Sequence, residues 1–598
     1  MEMGGRLIGQ IGTDAMINLK VVCHREGCIR AGIWKYPGLC LLLLLFPLIV
    51  AFVDPVRETM TGDDGWAYAL TVRHLLTTGE YRLHDWAAAN MPMQIYWGAL
   101  LADVFGYSFT VLRFATLILA LVGLISLYFL LRDFGTNDFE ASLLTIVVLS
   151  SPLVLFLSFT FQTDVQFLGW VVLALWLYTR ALRHKSYPLM ALASVSAFAA
   201  IGTRQFGAAL VAALAGNWLL CEQQRFRKAP LYLAGIVIPL LITLWQISYG
   251  VNQPTFSQKV RLIEQSEFVR DSKDFLLQLV WRPTAILQYL ALFLLPLAPV
   301  LLTIVCKRST QSDLGTHRLA SANRHGQRRL WLLIAIGVYV TAGLCYEYFI
   351  YLPKYLMPYL PWLLPNIEFF PYGFKMRLAL TLVTYGFAVV LGWLIVQRYG
   401  ERQSWRVMTP EESFVILTGM ATLGLQLLYV QFWDVYLIQF IPFAVFAVAQ
   451  MSHVWPWWCQ ASTAVLALIM LCFSSLWTRG HLSQAEASWQ AAKIAQAAGA
   501  APESIGGNMS WSTYNGAFDE WVTQVGGQGA AGKYNRLNPM HDEFFEFLLK
   551  RYDRSRYLIS SSMPMPTDKS SHLLTSVEYK DRWLHNRNMS LLKRDSVK

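Results

Sequence analysis

Residues 36–53 read YPGLCLLLLLFPLIVAFV, and shortly afterwards residues 59–81 read TMTGDDGWAYALTVRHLLTTGEY. The first stretch is apolar over the length that crosses about 30 Å of hydrocarbon. It follows 35 more polar residues, lacks a small-residue cleavage site and is succeeded by many runs like it. It therefore reads as a true membrane span and not as a signal peptide. The second stretch sets two adjacent carboxylates, Asp63 and Asp64, at the mouth of that span and follows them with aromatics at helical spacing.

The rest of the chain has the same character. Of its 598 residues 55% are hydrophobic and 15% charged, whereas a soluble chain carries about 25% charge. Apolar runs of roughly 17–24 residues recur, which predicts a polytopic α-helical membrane protein with about 13 spans. These fall near 36–53, 109–131, 140–158, 164–181, 187–202, 206–221, 229–249, 284–306, 330–351, 376–397, 412–431, 435–451 and 457–477. The net charge of +11 sits mostly in short loops between them and calls for no nucleic acid. Eight cysteines lie in the N-terminal tail or in and beside apolar segments, with none after Arg479, so no disulfide framework is expected. CHREGC (Cys23, His24, Cys28) offers three metal ligands with no fourth nearby, a weak zinc signal.

Loop charge orients the spans. TRALRHKSY, EQQRFRK, the basic stretch 307–329 and QRYGERQSWR hold most of the loop Arg and Lys, so they and the N-terminus are assigned to the cytoplasm. Opposite them fall loop 54–108, the turns at 158–164 and 202–206, the segments 250–283 and 352–375, and the tail. Within loop 54–108, Gly65–Thr78 and Pro92–Phe105 predict helices lying at the interface, with Trp66, Tyr68, Tyr96 and Trp97 as interfacial aromatics. Residues 256–281 predict another amphipathic external helix. Three divisions follow: a cytoplasmic tail 1–35, a transmembrane portion 36–479 and an extracytoplasmic α/β portion 480–598. The last opens on a helix, with strands expected in PESIGGNMSW and RYLISSS.

A carboxylate or cation at the edge of a membrane is costly and marks function by default. Asp63 with Asp64, Asp164 in LSFTFQTDVQF, and Arg204 in AIGTRQFGAAL all fall on the external side. Plain structural roles compete: the acids as helix caps and Arg204 reaching for headgroups.

GDDGWAYALTVRHLLTTGEY, MPMQIYWGALLADVFG and FTVLRFATLILALVGLISLYFLLRDFG together resemble the N-terminal half of the GT-C membrane glycosyltransferases. The nearest branch is the protein O-mannosyltransferase and lipid A aminoarabinose-transferase type. The likeness is clear over roughly the first 210 residues, and FWDVYLIQFIPFAVFA adds a patch matching at Asp434, Tyr436 and Pro442. It implies sugar transfer from a polyprenyl phosphate to an envelope lipid, glycan or protein acceptor at the outer face of the plasma (inner) membrane. It further implies Asp63, Asp64 and Asp164 as catalytic residues, with Asp63 as general base, and Asp63 with Asp164 as holders of a divalent metal ion if one is used. Tyr68, Arg82, Tyr96, Trp97, Arg204, Asp434 and Tyr436 would bind substrate. Two departures stand out. Met91 and Met93 replace a Lys and a Pro of the family pattern, and Val435 stands where Arg commonly precedes Tyr. The donor phosphate must then meet another cation, Arg204 first, with Arg82, Lys259, Arg261 and Lys354 as further external choices. A lipid-diphosphate glycan polymerase or ligase and a secondary transporter are the competing classes; a transporter would carry charges at midplane and two similar halves.

Overall fold

The computed structural model describes residues 36–60, 64–220, 225–313, 373–399, 408–451, 455–535, 539–560, 571–581 and 584–594, with residues 334, 337 and 338 between. Asp63, the CHREGC motif, Lys354, most of the span expected at 330–351 and most of the segment 352–375 lie outside them.

The described helices are numbered here in chain order. The first is α1 (Pro37–Val53), and the two helices expected in the first loop follow as α2 (Gly65–Thr78) and α3 (Pro92–Phe105). Next is α4 (Phe109–Asp133), whose first turn is closed by the Ser108 hydroxyl accepting from Val111 N–H. The run expected as one span at 140–158 is two helices, α5 (Asp138–Ser150) and α6 (Pro152–Ser158), bent by 72°. Pro152 cannot donate to the preceding turn, and Ser151 before it is forced out of helical geometry. Then come α7 (Thr163–His184), α8 (Tyr187–Thr203), α9 (Ala208–Leu220) and α10 (Arg225–Asn252).

Four further differences from the expected elements have local causes. The external helix at 256–281 breaks at Asp271 into α11 (Phe256–Arg270) and α12 (Ser272–Phe293). A capping box of Thr255 and Gln258 starts α11. The span expected at 284–306 is shared between α12 and α13 (Ala298–Asp313), with Pro296 in a 3₁₀ turn between them. The late family-like segment opens as a 3₁₀ turn, Asp434–Phe440, before α16 (Ile441–Met451); α14 (Gly373–Tyr399) and α15 (Pro410–Leu428) precede it. Finally, the last span and the helix opening the tail form one rod, α17 (Trp457–Ala497, 41 residues), since no Gly–Pro signal interrupts them.

Six helices are long and apolar enough to cross a membrane among the described residues, or up to seven if α5 and α6 make one broken span. Several shorter apolar helices stand beside them. The chain is thus a polytopic helical membrane protein. Where α4 crosses α7 the backbones almost touch: a Cβ on Gly169 would lie 2.4 Å from the Leu119 carbonyl oxygen, and one on Gly123 2.9 Å from Gly169 Cα. Small residues at such a crossing let van der Waals packing replace the hydrophobic drive that lipid removes.

The tail folds as α18 (Met509–Tyr514), α19 (Ala517–Gln524), α20 (Met540–Arg554) and a four-stranded sheet, order β1-β2-β4-β3. Strands β1 (Ile505–Gly506) and β2 (Tyr557–Ser560) lie in the two stretches expected to hold them, although Met509–Tyr514 is helical. The hairpin β3 (Ser571–Lys580) and β4 (Asn586–Arg594) carried no comparable sequence signal. β1 and β2 are parallel and the other pairs antiparallel, with Ile559 opposite Leu591.

Two apolar cores result. One lies inside the helical bundle. The other joins the first loop to the tail: Trp66, Trp86 and Phe109 pack with Phe256, Trp489, Phe518, Trp521 and Phe544. Trp66 is therefore 1% exposed and Tyr68 8%, so these two rings are core and not interfacial as expected. Tyr96, at 48%, does face outward.

Candidate functional site

Asp64 stands immediately ahead of α2, yet its carboxylate caps nothing there. Instead Asp64 Oδ1 accepts from Trp86 Nε1 at 2.7 Å. Burial raises its pKa above the usual carboxylate value, opposed by the Trp86 hydrogen bond and by the charges of Arg204 and Arg261. One turn into α2, burial and the Asp64 charge push the Tyr68 hydroxyl well above its ordinary value.

Asp164 lies in the first turn of α7, and its buried carboxylate is taken by the part-buried Arg204 guanidinium in an ion pair. Arg204 sits in extended conformation between α8 and the 3₁₀ turn Gln205–Gly207, which aims its side chain inward and not at headgroups. Its guanidinium lies over the Tyr436 ring, 4.3 Å from the centroid. Tyr436 in turn packs beside Tyr429 and Phe206. Asp434 is 1% exposed; Oδ1 accepts from Val435 N–H at 2.9 Å, while Oδ2 is buried with no partner among the described residues.

Five expected residues thus converge: Asp64, Tyr68, Asp164, Arg204 and Tyr436, with Asp434 close enough to feel the Asp164 charge. Three do not join them. Trp97 donates to the Ala115 carbonyl at 2.9 Å and packs on Trp170. Tyr96 stacks on Tyr81, near Trp245 and Tyr249. Arg82 lines a separate cavity of about 430 Å³ with His74, His84, Asp85 and Asp519.

Several participants gave no usable sequence signal. Trp86 sits in a loop where one more aromatic attracts no notice. Arg261, on α11, reaches the centre from a helix distant in sequence while pairing with Glu264 at 2.5 Å. Gln94, fully buried on α3, donates to the Phe161 carbonyl at 2.9 Å and so anchors the turn that presents Asp164. Arg113, 1% exposed on α4, donates to the carbonyls of Pro55, Arg57 and Thr59, fixing the strand of chain that leads to the acidic pair.

Among the described residues no group of three or more His, Cys, Asp or Glu is placed to hold a metal ion. The described acids also do not fit a donor set as they stand, because Asp164 is held by Arg204 and Asp64 by Trp86. What the centre does offer is a part-buried cation beside two carboxylates and a phenol, the groups needed to meet a phosphate and a hydroxyl side by side.

Residues 89–249, which include Asp164 and Arg204, match the family model of dolichyl-phosphate-mannose-protein mannosyltransferase. The match spans 161 of the 598 residues, so the likeness to that family is one of this segment. No curated protein matches the chain. Among solved structures, the chain aligns with ArnT from Cupriavidus metallidurans bound to undecaprenyl phosphate, at 16% identity and TM-score 0.42, covering 94% of this chain and 98% of that one. It also aligns with the oligosaccharyltransferase AglB from Archaeoglobus fulgidus in complex with an inhibitory peptide and a dolichol-phosphate, at 12% identity and TM-score 0.40, covering 76% and 56%. At such scores neither carries a residue role across to this chain.

Proposed function

We propose that the chain transfers a sugar from a polyprenyl-phosphate donor to a lipid, glycan or protein acceptor. Transfer would occur at the extracytoplasmic face of the plasma (inner) membrane, with residues 480–598 on that side. The observation carrying this reading is the convergence of Arg204, Asp164, Asp64 and Tyr68 from three separate helical segments, within a chain whose residues 89–249 carry the mannosyltransferase family pattern.

In the reaction an acceptor oxygen attacks the anomeric carbon as the bond from that carbon to the phosphate oxygen breaks. The acceptor proton passes to a carboxylate of the Asp63–Asp64 pair. Asp63 is the favoured base, and Asp64, tied to Trp86, orients it and the acceptor. The leaving polyprenyl phosphate gains negative charge, which Arg204 meets in place of the missing family Lys. Asp164 and the Tyr436 ring hold the guanidinium for that task. The free Oδ2 of Asp434 is suited to accept a hydrogen bond from a sugar hydroxyl. A single displacement inverts the anomeric centre.

The test is turnover by full-length protein in liposomes offered a panel of polyprenyl-monophosphate sugars, following release of free polyprenyl phosphate. Release is expected with at least one sugar, and Asp63→Asn and Arg204→Gln are each expected to reduce it by about 10²-fold or more. No release from folded protein with any monophosphate donor would overturn the proposal; release only from diphosphate-linked glycans would replace it with the polymerase or ligase class.

A further inference from the structure

Helix α15 ends at Leu428, a residue 53% exposed, and the last carbonyls of a helix have no intrahelical partner of their own. Here six successive carbonyls, 426 to 431, are each met by a side chain. Arg282, on α12 and 2% exposed, donates to those of Gln426 (3.2 Å), Leu427 (3.3 Å), Tyr429 and Val430 (2.8 Å). Gln265, on α11, donates to Leu428 at 2.9 Å and accepts from Val430 N–H at 2.8 Å. Gln426 itself donates to Gln431 at 3.2 Å. Phe268 and Phe432 lie 5.0 and 5.5 Å from the Arg282 guanidinium and hold its plane.

The clamped segment leads straight into the candidate site. Tyr429 lies within it, and Tyr436, the ring beneath Arg204, follows a few residues later. α11 also carries Arg261, so one helix both grips the segment and adds charge to the centre.

We propose that Arg282 and Gln265 are positioning residues for donor binding: by fixing the chain at 426–431 they set the Tyr436 ring under Arg204, and so set the phosphate-binding geometry. This rests on the functional reading above. Arg282 touches no reacting atom. Its fork spans four carbonyls that an ammonium cannot span together, so lysine is no equivalent here.

The experiment measures affinity of the full-length protein, in nanodiscs, for sugar-free polyprenyl phosphate. Wild type is compared with R282K, Q265A, Y436L and the doubles R282K/Y436L and Q265A/Y436L, below each variant's thermal midpoint. R282K, Q265A and Y436L are each expected to bind about tenfold more weakly, within the range that coupling between sites spans. Each double should bind no more weakly than Y436L alone, because the clamp acts through that ring. A merely stabilising clamp would lower the midpoint and leave affinity intact, or give additive doubles; either outcome overturns the inference. If R282K does not fold, the Q265A cycle decides by the same criteria. If wild type binds no polyprenyl phosphate, the donor assignment falls and this inference with it. Binding lost in Y436L but untouched by the clamp variants removes the inference alone.

Discussion

Replacing Trp86 by Phe would remove one hydrogen from the site and little else. The Trp86 ring packs 5.0–5.7 Å from Phe518, His541, Phe544 and Trp66, contacts that a phenyl ring largely keeps. What disappears is the 2.7 Å hydrogen bond from Nε1 to Asp64 Oδ1. A hydrogen bond to a charged group contributes about 1.5–3 kcal/mol, and the half-buried position of Asp64 argues for the lower end. At about 1.4 kcal/mol per pKa unit, the Asp64 pKa should rise by about one unit. The sign is fixed: the bond favours the ionised carboxylate and now holds its pKa down against burial, so its loss lets burial win further. In a pH profile of kcat/KM for polyprenyl-phosphate release, the acid limb should move up by about one unit while the plateau at higher pH changes little. An acid limb that stays within about 0.3 units of wild type would show that Asp64 does not govern that limb.

Two other outcomes test the fold. His541 packs against Trp86, and burial with the nearby Arg261 charge lowers its pKa to about 4. Between the unfolded value near 6.5 and that pH the unfolded chain binds the extra proton. Stability is thus full above about pH 6.5 and falls by on the order of 2 kcal/mol as pH drops toward 4; His541→Gln should flatten that slope in thermal midpoints taken across the range. Gly169→Leu should force α4 and α7 apart at the Leu119 carbonyl, lowering stability by about 1–3 kcal/mol, which thermal unfolding followed by size-exclusion reads directly.

The membrane character was plain in the sequence because hydrocarbon thickness imposes a run length that composition alone reveals. Both helices of the first loop were legible to the residue, since Gly and Pro punctuate their ends. Their setting was not: the spacing of Trp66 and Tyr68 shows an aromatic face, and only the tail, more than 400 residues away in the chain, makes that face a core. The same limit applies at the site. Asp64, Asp164 and Arg204 stood out because charge is rare in such a chain, whereas Trp86, Arg113 and Arg282 act through main-chain or single-atom contacts that leave no pattern. The bends fall at Pro152 and Pro296, prolines that sit within continuous apolar runs whose length outweighs them as a sequence signal.

α17 has one further consequence. At 1.5 Å per residue its 41 residues extend about 60 Å, twice a bilayer's hydrocarbon, so its apolar half lies in lipid while its far half underpins the second core. A helix that long is a lever. If a thinner bilayer tilts the embedded half by about 10°, the far end, some 30 Å beyond, swings by about 5 Å. That end carries Ala491, Ala492 and Ala495 into the core holding Trp86 and Phe518. Lipid chain length then bears on the packing around Trp86, the residue that holds the Asp64 carboxylate.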